Sequence, residues 1–266
     1  MGDAKRLIVK PISAKDANRI VQSLHYSGKT VQNSQLHLGV FLDGKCGGAM
    51  QFGPSLDKRK IQGLVRGTLW NEFIELNRMA FADWLPRNGE SRALGFAFRW
   101  MRKQYPQLKW CVSFADGTQC GDGTIYRASG FVLTGITKNQ SNLIFPNGEI
   151  CSTVSITAFL AGKGGLLPGV LAKKYGVTLN GATYRPFLKI GAKLMEGFQL
   201  RYIYFIDPTA RDRLTVPILP FSEIDRRGAG MYKGKPRVRS VDSDTSGDQP
   251  EVGGANPTRT LSGDQP

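Results

Sequence analysis

The chain of 266 residues is long enough for one large domain or two small ones with an apolar core. Its 36 Lys and Arg against 21 Asp and Glu give a formal net charge of +15 at pH 7. Such a surplus predicts a polyanionic partner, nucleic acid above all, although a basic surface without a partner is the alternative. No apolar run reaches membrane-spanning length and the amino terminus lacks a signal-peptide core, so we expect a cytoplasmic protein with no membrane partner.

The first elements are predicted from apolar spacing and turn residues. Residues 8–12 are typical of a strand, and Ser13 is a predicted N-cap with Asp16 completing a shortened capping box. The helix that follows is expected to end at 25–28. Two apolar segments separated by Asp43-Gly44 predict a β-hairpin; they lie at 36–42 and 48–52.

Further strands and helices alternate through the middle of the chain. The strand predicted at 72–81 places Glu75 and Asn77 on one face, where buried polar groups need hydrogen bonds or a function. A polar turn at 86–92 opens a helix that Pro106 ends, and a strand, a helix and a strand follow at 108–115, 124–129 and 131–137. This order predicts an α/β protein.

The carboxyl-terminal half is less regular. A Gly-rich turn, a helix and a strand are predicted at 162–169, 186–197 and 200–206. We expect a catalytic domain over 1–220, a basic flexible arm over 221–240 that binds polyphosphate, and a disordered tail over 241–266 in which S-G-D-Q-P occurs twice. A solvated hinge is the alternative for the arm.

The most informative stretch is D-G-T-Q-C-G-D-G-T-I-Y-R-A-S-G-F at 116–131. Asp116 ends a buried strand, where open α/β sheets place their ligands. Tyr126 follows one short turn later, so a base and an acid could converge on one crevice and support group transfer. A turn-capping Asp116 and a half-buried structural Tyr126 are the alternatives.

The loop before the central helix is a candidate anion site. A glycine-containing turn at a helix start offers backbone N–H groups, and two arginines flank it. The candidate residues are Arg87, Asn88, Gly89, Ser91 and Arg92. The four cysteines have no close metal-ligand spacing, so we predict reduced thiols and no metal from spacing alone.

From about residue 20 to 135 the chain closely resembles the Mom DNA-modification proteins of Mu-like bacteriophages. No single matching segment is a generic motif, but their order and spacing are highly specific. The segments are H-Y-S-G-K (25–29), L-H-L-G-V-F-L-D-G (36–44), M-Q-F-G-P-S-L-D-K (50–58), E-L-N-R-M-A-F (75–81) and S-F-A-D-G-T-Q-C-G-D-G-T-I-Y-R-A-S-G-F (113–131). The family resembles the GNAT acyltransferase fold, with a mixed, mostly antiparallel sheet flanked by helices.

The resemblance implies conversion of adenine N6 in double-stranded DNA to the N6-carbamoylmethyl form, inside the host cytoplasm, which protects phage DNA from restriction. It places the family's essential residues on His25, Tyr26, Asp116 and Tyr126 as catalytic groups, and on Arg78 and the 87–92 loop as donor-binding groups. The loop keeps only Gly89 and Gly95 of the usual coenzyme pattern. The implied donor is therefore either an acyl-CoA-like molecule or an aminoacyl-tRNA carrying glycine, and iron is implied by the family only.

Two other functions remain open from the residues. One is an ordinary GNAT N-acetyltransferase acting on a protein or small amine, which predicts a tight complex with coenzyme A. The other is a non-catalytic, basic DNA-binding phage protein, which predicts salt-dependent DNA binding without modification. Polar residues within the strand 72–81 argue against a protein that only binds.

Overall fold

The computed structural model describes residues 3–117, 121–138, 142–163, 165–179, 181, 184–232 and 235–236. The predicted tail at 241–266 and Cys120 lie outside these residues, and Cys46, Cys111 and Cys151 are free thiols. Seven of the strands form one sheet: β1 (Ile8–Pro11), β2 (Leu36–Leu42), β3 (Lys45–Gly53), β4 (Phe73–Phe81), β5 (Trp110–Asp116), β6 (Val132–Lys138) and β10 (Phe198–Phe205).

The remaining elements flank this sheet or follow it. The helices are α1 (Ala14–Leu24), α2 (Lys58–Gln62), α3 (Gly89–Gln104), α4 (Thr124–Ala128), α5 (Thr153–Leu160), α6 (Leu167–Lys174), α7 (Arg185–Leu188) and α8 (Ser222–Arg226). Three short strands form a second sheet, and two more form a small hairpin: β7 (Asn142–Ile144), β8 (Ile150–Ser152) and β9 (Lys193–Leu194), then β11 (Met231–Tyr232) and β12 (Lys235–Pro236).

The main sheet is mixed and mostly antiparallel, as predicted. Its strand order is β1-β2-β3-β4-β5-β10-β6, and β4–β5 is the one parallel pair within it. This pair is short: its register joins Phe73, Ile74 and Glu75 to Trp110, Cys111 and Val112. Past these residues β4 pairs with β3 and β5 pairs with β10 but not with each other, so β4 and β5 diverge towards their carboxyl ends and leave a gap between them.

Apolar side chains cover both faces of the sheet. Helix α3 packs its buried face, including Leu94, Phe98 and Met101, on one side, where the Phe52 and Phe131 rings contact Phe98 edge to face. Helix α1 contacts β2, β3 and β4 on the other side. The two helices therefore cover opposite faces on either side of the gap between β4 and β5.

Several predicted boundaries are confirmed by local contacts. The Ser13 hydroxyl oxygen accepts a hydrogen bond from the Asp16 N–H at 3.0 Å, which is the predicted N-cap. The hairpin turn has Asp43 at φ 51° and Gly44 at φ 82°, the left-handed conformations that a two-residue hairpin turn requires.

The helix predicted at 186–197 is wrong. Helix α7 has four residues, and Gly191 at φ +89° leaves the helical conformation, so the chain continues into β9. The basic segment predicted as an arm over 221–240 begins with α8, whose Ile224 is buried in the core. The packed domain therefore extends beyond residue 220, while residues 237–240 lie outside the described part of the chain.

Candidate active site

The acceptor-side cluster (His25, Lys29, Glu75, Asn77 and Arg78) lies where α1 ends against β4. The register of β3 and β4 shifts by one residue, with Gln51 opposite Arg78 and Phe52 opposite Leu76. The extra residue is Asn77, and this bulge lets Glu75 and Arg78 both lie on the α1 side of the strand. A strict alternation along β4 would have separated them.

Arg78 connects β4 to the loop after α1. Its Nε donates to the carbonyl of Lys29 at 3.2 Å, and its Nη1 donates to the carbonyl of Asn77 at 2.7 Å. A guanidinium group holds both acceptors at once because its donors are fixed in a plane. Arg78 therefore fixes the His25-Tyr26 loop, and it does not line the cavity formed by the predicted donor loop.

His25 is neutral at physiological pH in this environment. Burial, with the positive charge of Arg78 second, lowers the pKa of its imidazole to about 4. The Ser27 N–H lies 3.2 Å from Nδ1 and donates to it, so the ring proton of the neutral form resides on Nε2. His25 thus presents one N–H donor. The ring of Tyr26 is exposed, and its centroid lies 4.3 Å from the centroid of the His25 ring.

Glu75 is a half-buried carboxyl group in the same cluster. Burial raises its pKa, while hydrogen bonding from Ser55 and Asn77 and the charge of Arg78 lower it. Asn77 Oδ1 also accepts a hydrogen bond from the Ser34 hydroxyl at 3.1 Å. The polar face predicted for this strand therefore carries an ordered hydrogen-bond network beside the gap between β4 and β5.

Tyr126 lies on the other side of the sheet. Its hydroxyl is 2.9 Å from that of Ser113, and its ring packs against Phe131 and Tyr202. Ser113 is fully buried and its single proton has two acceptors in reach, Tyr126 and the Leu76 carbonyl at 3.3 Å. Donation to Tyr126 is the shorter contact, and it leaves the phenol as the donor of its own proton.

Asp116 and Tyr126 approach the end of β5 from opposite faces. β5 pairs with β10 in regular register from Trp110 to Asp116, so its side chains alternate. Ser113 and Tyr126 pack on the α3 side, whereas Asp116 follows Val112 and Phe114 on the α1 side. The sequence predicted one shared crevice for the two groups, and this prediction is wrong because their side chains lie on opposite faces of β5.

The turn into α4 is fixed by a buried ion pair. Asp122, 3 % exposed, lies 3.0 Å from Arg127, and its carboxylate also accepts from the Thr124 N–H and hydroxyl. The Tyr202 hydroxyl donates to the Asp122 carbonyl at 2.5 Å. These contacts fix the helix that carries Tyr126.

The donor-side cavity lies at the start of α3 and has a volume of about 430 Å³. Its lining includes four basic side chains and no Asp or Glu. The lining residues are Ala4, Lys5, Arg87, Asn88, Ser91, Arg92, Gly95 and Arg99. The predicted loop residues thus line one cavity, apart from Gly89, which is buried as the first residue of the helix. The charge and the helix start favour a phosphate-bearing ligand.

Sequence reasoning missed two residues of this arrangement. Both lie within the matching segments at 113–131 and 25–29, but Ser113 stands inside an apolar strand, and Lys29 is exposed and contributes its backbone carbonyl to Arg78. Among the described residues no group of three His, Cys, Asp or Glu side chains could hold a metal ion. The described residues therefore do not fit the iron that the family resemblance implies.

The fold and site define a basic α/β domain with polar clusters on both faces of a sheet, in which two neighbouring strands pair in parallel only at their first residues. The Mom protein family model matches residues 6–223, and the chain belongs to that family. It is 35% identical over 216 residues to the methylcarbamoylase mom of Escherichia phage Mu, covering 81% of this chain and 82% of that protein. No described helix is long and apolar enough to cross a membrane.

Solved structures of acetyltransferases are also similar to this chain. A GNAT-family acetyltransferase from Streptococcus pneumoniae is 18% identical, with 50% of this chain and 88% of that chain covered, at a TM-score of 0.36. The ribosomal-protein-S18-alanine N-acetyltransferase from Escherichia coli is 11% identical, with 75% and 94% covered, at a TM-score of 0.40.

Proposed function

We propose that this protein modifies phage DNA in the host cell by transferring a carbamoylmethyl group to adenine N6. The name of the phage Mu relative, a methylcarbamoylase, supports the group transferred. The net charge of +15 supports a polyanionic substrate. The observation that carries the proposal is the gap between β4 and β5, with the acceptor-side cluster on one face and Tyr126 and the donor-side cavity on the other.

The two faces take the two substrates. Adenine N6 is paired and stacked in duplex DNA, so the base is extruded at a cost of about a few kcal/mol. The extruded base enters on the α1 side, where the His25 Nε2–H donates to a ring nitrogen and the exposed Tyr26 ring stacks on the base. Arg78 positions this loop through the Lys29 carbonyl.

The donor occupies the α3 side. The four cations of the donor-side cavity bind its phosphates, whether these belong to a coenzyme A-like molecule or to a tRNA end. The group transferred reaches the gap, where Tyr126 is placed by Ser113. A phosphate-bearing donor therefore fits the cavity, and the cavity does not distinguish a coenzyme A-like carrier from a tRNA end.

The transfer itself is a displacement. A bond forms between N6 and the methylene carbon of the carbamoylmethyl group as the bond between that carbon and the leaving group breaks with its electron pair, so this step requires a donor whose leaving group is attached to the methylene carbon and not to the carbonyl carbon of an ester or thioester. Asp116 accepts the proton that N6 loses, and Tyr126 donates a proton to the leaving group. Because the two residues lie on opposite faces of β5, the proton is removed on the acceptor side and supplied on the donor side.

The experiment is nucleoside mass spectrometry of DNA from cells that express the protein. We expect carbamoylmethyl-deoxyadenosine with the wild type and a loss of about 100-fold or more with Asp116→Asn or Tyr126→Phe. Asp16→Asn, an exposed carboxylate at the start of α1, is the control and should retain full yield. Unmodified DNA with the wild type, or wild-type yield from both site variants, would overturn the proposed chemistry.

A further inference from the structure

We infer that the inserted module, residues 142–194 between β6 and β10, is a DNA-docking surface whose α6 end inserts Leu166 and Leu167 into the duplex beside the extruded adenine. The inference rests on the proposed function for the base that is extruded. It adds the element that grips the duplex and fills the gap in the base stack.

The inserted module is not required to complete the main sheet. β6 and β10 pair directly, with Lys138 opposite Phe198, so a short turn would be enough to join them. The chain instead forms a second sheet and three helices with a hydrophobic core of their own, which includes Leu143, Ile156 and Phe187. A segment with its own core that the sheet does not need is a candidate for a separate task.

The exposed side of α6 is apolar at its first turn and basic at its last. Leu166, Leu167 and Val170 are 78%, 44% and 58% exposed. Val170 follows Leu166 by four residues and Lys174 follows it by eight, while Lys173 follows Val170 by three. These spacings place the four side chains on one side of the helix. Adjacent exposed leucines next to lysines indicate a contact with a partner that is both anionic and apolar.

The charge of the inserted module fits DNA. Six basic side chains stand against one acid, Glu149; the basic residues are Lys163, Lys173, Lys174, Arg185, Lys189 and Lys193. Glu149 is paired with Lys174 at 3.0 Å. The remaining positive excess suits phosphate groups on both sides of an inserted apolar wedge.

The inserted module lies next to the acceptor-side cluster. Lys29 Nζ is 3.5 Å from the hydroxyl of Ser155, in the first turn of α5. The carbonyl of the same lysine accepts from Arg78, whose charge acts on His25. Since α5 packs on α6, a duplex with its target base at His25 can extend over α6.

An apolar wedge has a defined use there. Removing a base from the stack leaves a gap, and proteins that deform DNA fill such gaps with leucine and similar side chains. An anionic membrane surface or a second copy of this chain would also cover leucines and lysines. DNA is favoured because the surface continues into the cluster that receives the base.

The test uses the full-length protein, without donor, and a short duplex that carries 2-aminopurine at the target adenine. This base fluoresces when it leaves the stack. We expect Leu166→Gln/Leu167→Gln to reduce the fluorescence rise at saturating protein by about tenfold. Lys173→Gln should reduce the slope of log affinity against log salt concentration by about 0.9 per lost phosphate contact. The fluorescence rise at saturating protein should remain that of the wild type.

The control is Leu69→Gln, an exposed leucine beside the amino end of β4, which should behave as the wild type. Wild-type fluorescence and salt slope in the α6 variants would overturn the inference. It would also be overturned if these variants kept wild-type DNA binding but lost binding to anionic vesicles or lost self-association. DNA that is bound and opened but never modified would overturn only the proposed function. Modified DNA with unaffected α6 variants would overturn only this inference.

Discussion

The hydroxyl groups of Ser113 and Tyr126 lie 2.9 Å apart across the start of the gap between β4 and β5, and Ser113 also reaches the carbonyl of Leu76 at 3.3 Å. A fully buried serine thus links both diverging strands to the helix that carries the tyrosine. We expect Ser113→Ala to lower the rate of DNA modification about tenfold, because the phenol loses the group that orients it. Mass spectrometry of timed reactions gives this rate.

The matched control for Ser113→Ala is Thr134→Val. Thr134 is also buried; its hydroxyl donates to the Arg201 carbonyl and accepts from the Arg201 Nε–H, away from the gap. Ser113→Ala should lose about 1 kcal/mol of unfolding free energy and Thr134→Val at least as much, because Arg201 loses an acceptor, whereas only Ser113→Ala should lose activity. Equal activity in the two variants would reduce Ser113 to a structural residue.

The second prediction concerns the pH dependence of stability. The folded-state pKa of His25 is about 4 and its ordinary value is 6.5, so the unfolded chain binds more protons between these values. His25 therefore contributes stability that is present above about pH 6.5 and is lost as pH falls towards 4. His25→Gln should flatten this part of the curve of unfolding free energy against pH, measured by urea denaturation.

Arg78→Gln provides an independent check on His25. Removing the positive charge should raise the pKa of His25, but not to 6.5, since burial is the larger cause. Nitrogen-15 NMR titration resolves this because the chain has two histidines, His25 and His37. An unchanged His25 pKa would show that the two side chains are electrostatically independent.

The third prediction concerns the turn before α4. Gly123 has φ +73°, and a Cβ there would lie 2.6 Å from the Tyr202 ring. Gly123→Ala should cost about 2–5 kcal/mol of unfolding free energy, from the left-handed backbone and the overpacked ring together. Gly162→Ala has a similar φ of +68° but open space around it, so it should cost only about 1–2 kcal/mol. Equal losses would show that the ring moves aside freely.

The fourth prediction concerns the donor-side cavity, with inorganic pyrophosphate as the probe. We expect Arg87→Gln and Arg92→Gln each to weaken its binding about tenfold or more, because each removes a charge-assisted donor. Isothermal titration calorimetry measures the affinity. Arg19→Gln removes an exposed arginine of α1 and should leave it unchanged. Pyrophosphate that binds both cavity variants as tightly as the wild type would contradict the assignment of this cavity.

The sequence allowed the elements around the site to be predicted because their signals are local. Ser13, Pro106 and the Asp43-Gly44 turn fix boundaries through their own backbone preferences, and the structure has those boundaries. The long strand at 73–81 and the helix that follows it have strong apolar periodicity. The loop at 87–92 was predicted because its charge and glycine content are visible within a few residues.

The missed features depend on contacts between distant residues. The bulge at Asn77 brings Arg78 and Glu75 to one side, and it is visible only from the register with β3. The strands of the second sheet have two or three residues each, too few for a periodic pattern. The positions of Asp116 and Tyr126 on opposite faces depend on the pairing of β5 with β10.

The direct pairing of Lys138 with Phe198 has an evolutionary consequence. Residues that join two adjacent strands of a finished sheet can be exchanged, lengthened or removed without disturbing the order in which the other strands assemble. This segment can therefore differ between related proteins while the strand order around the gap between β4 and β5 is kept.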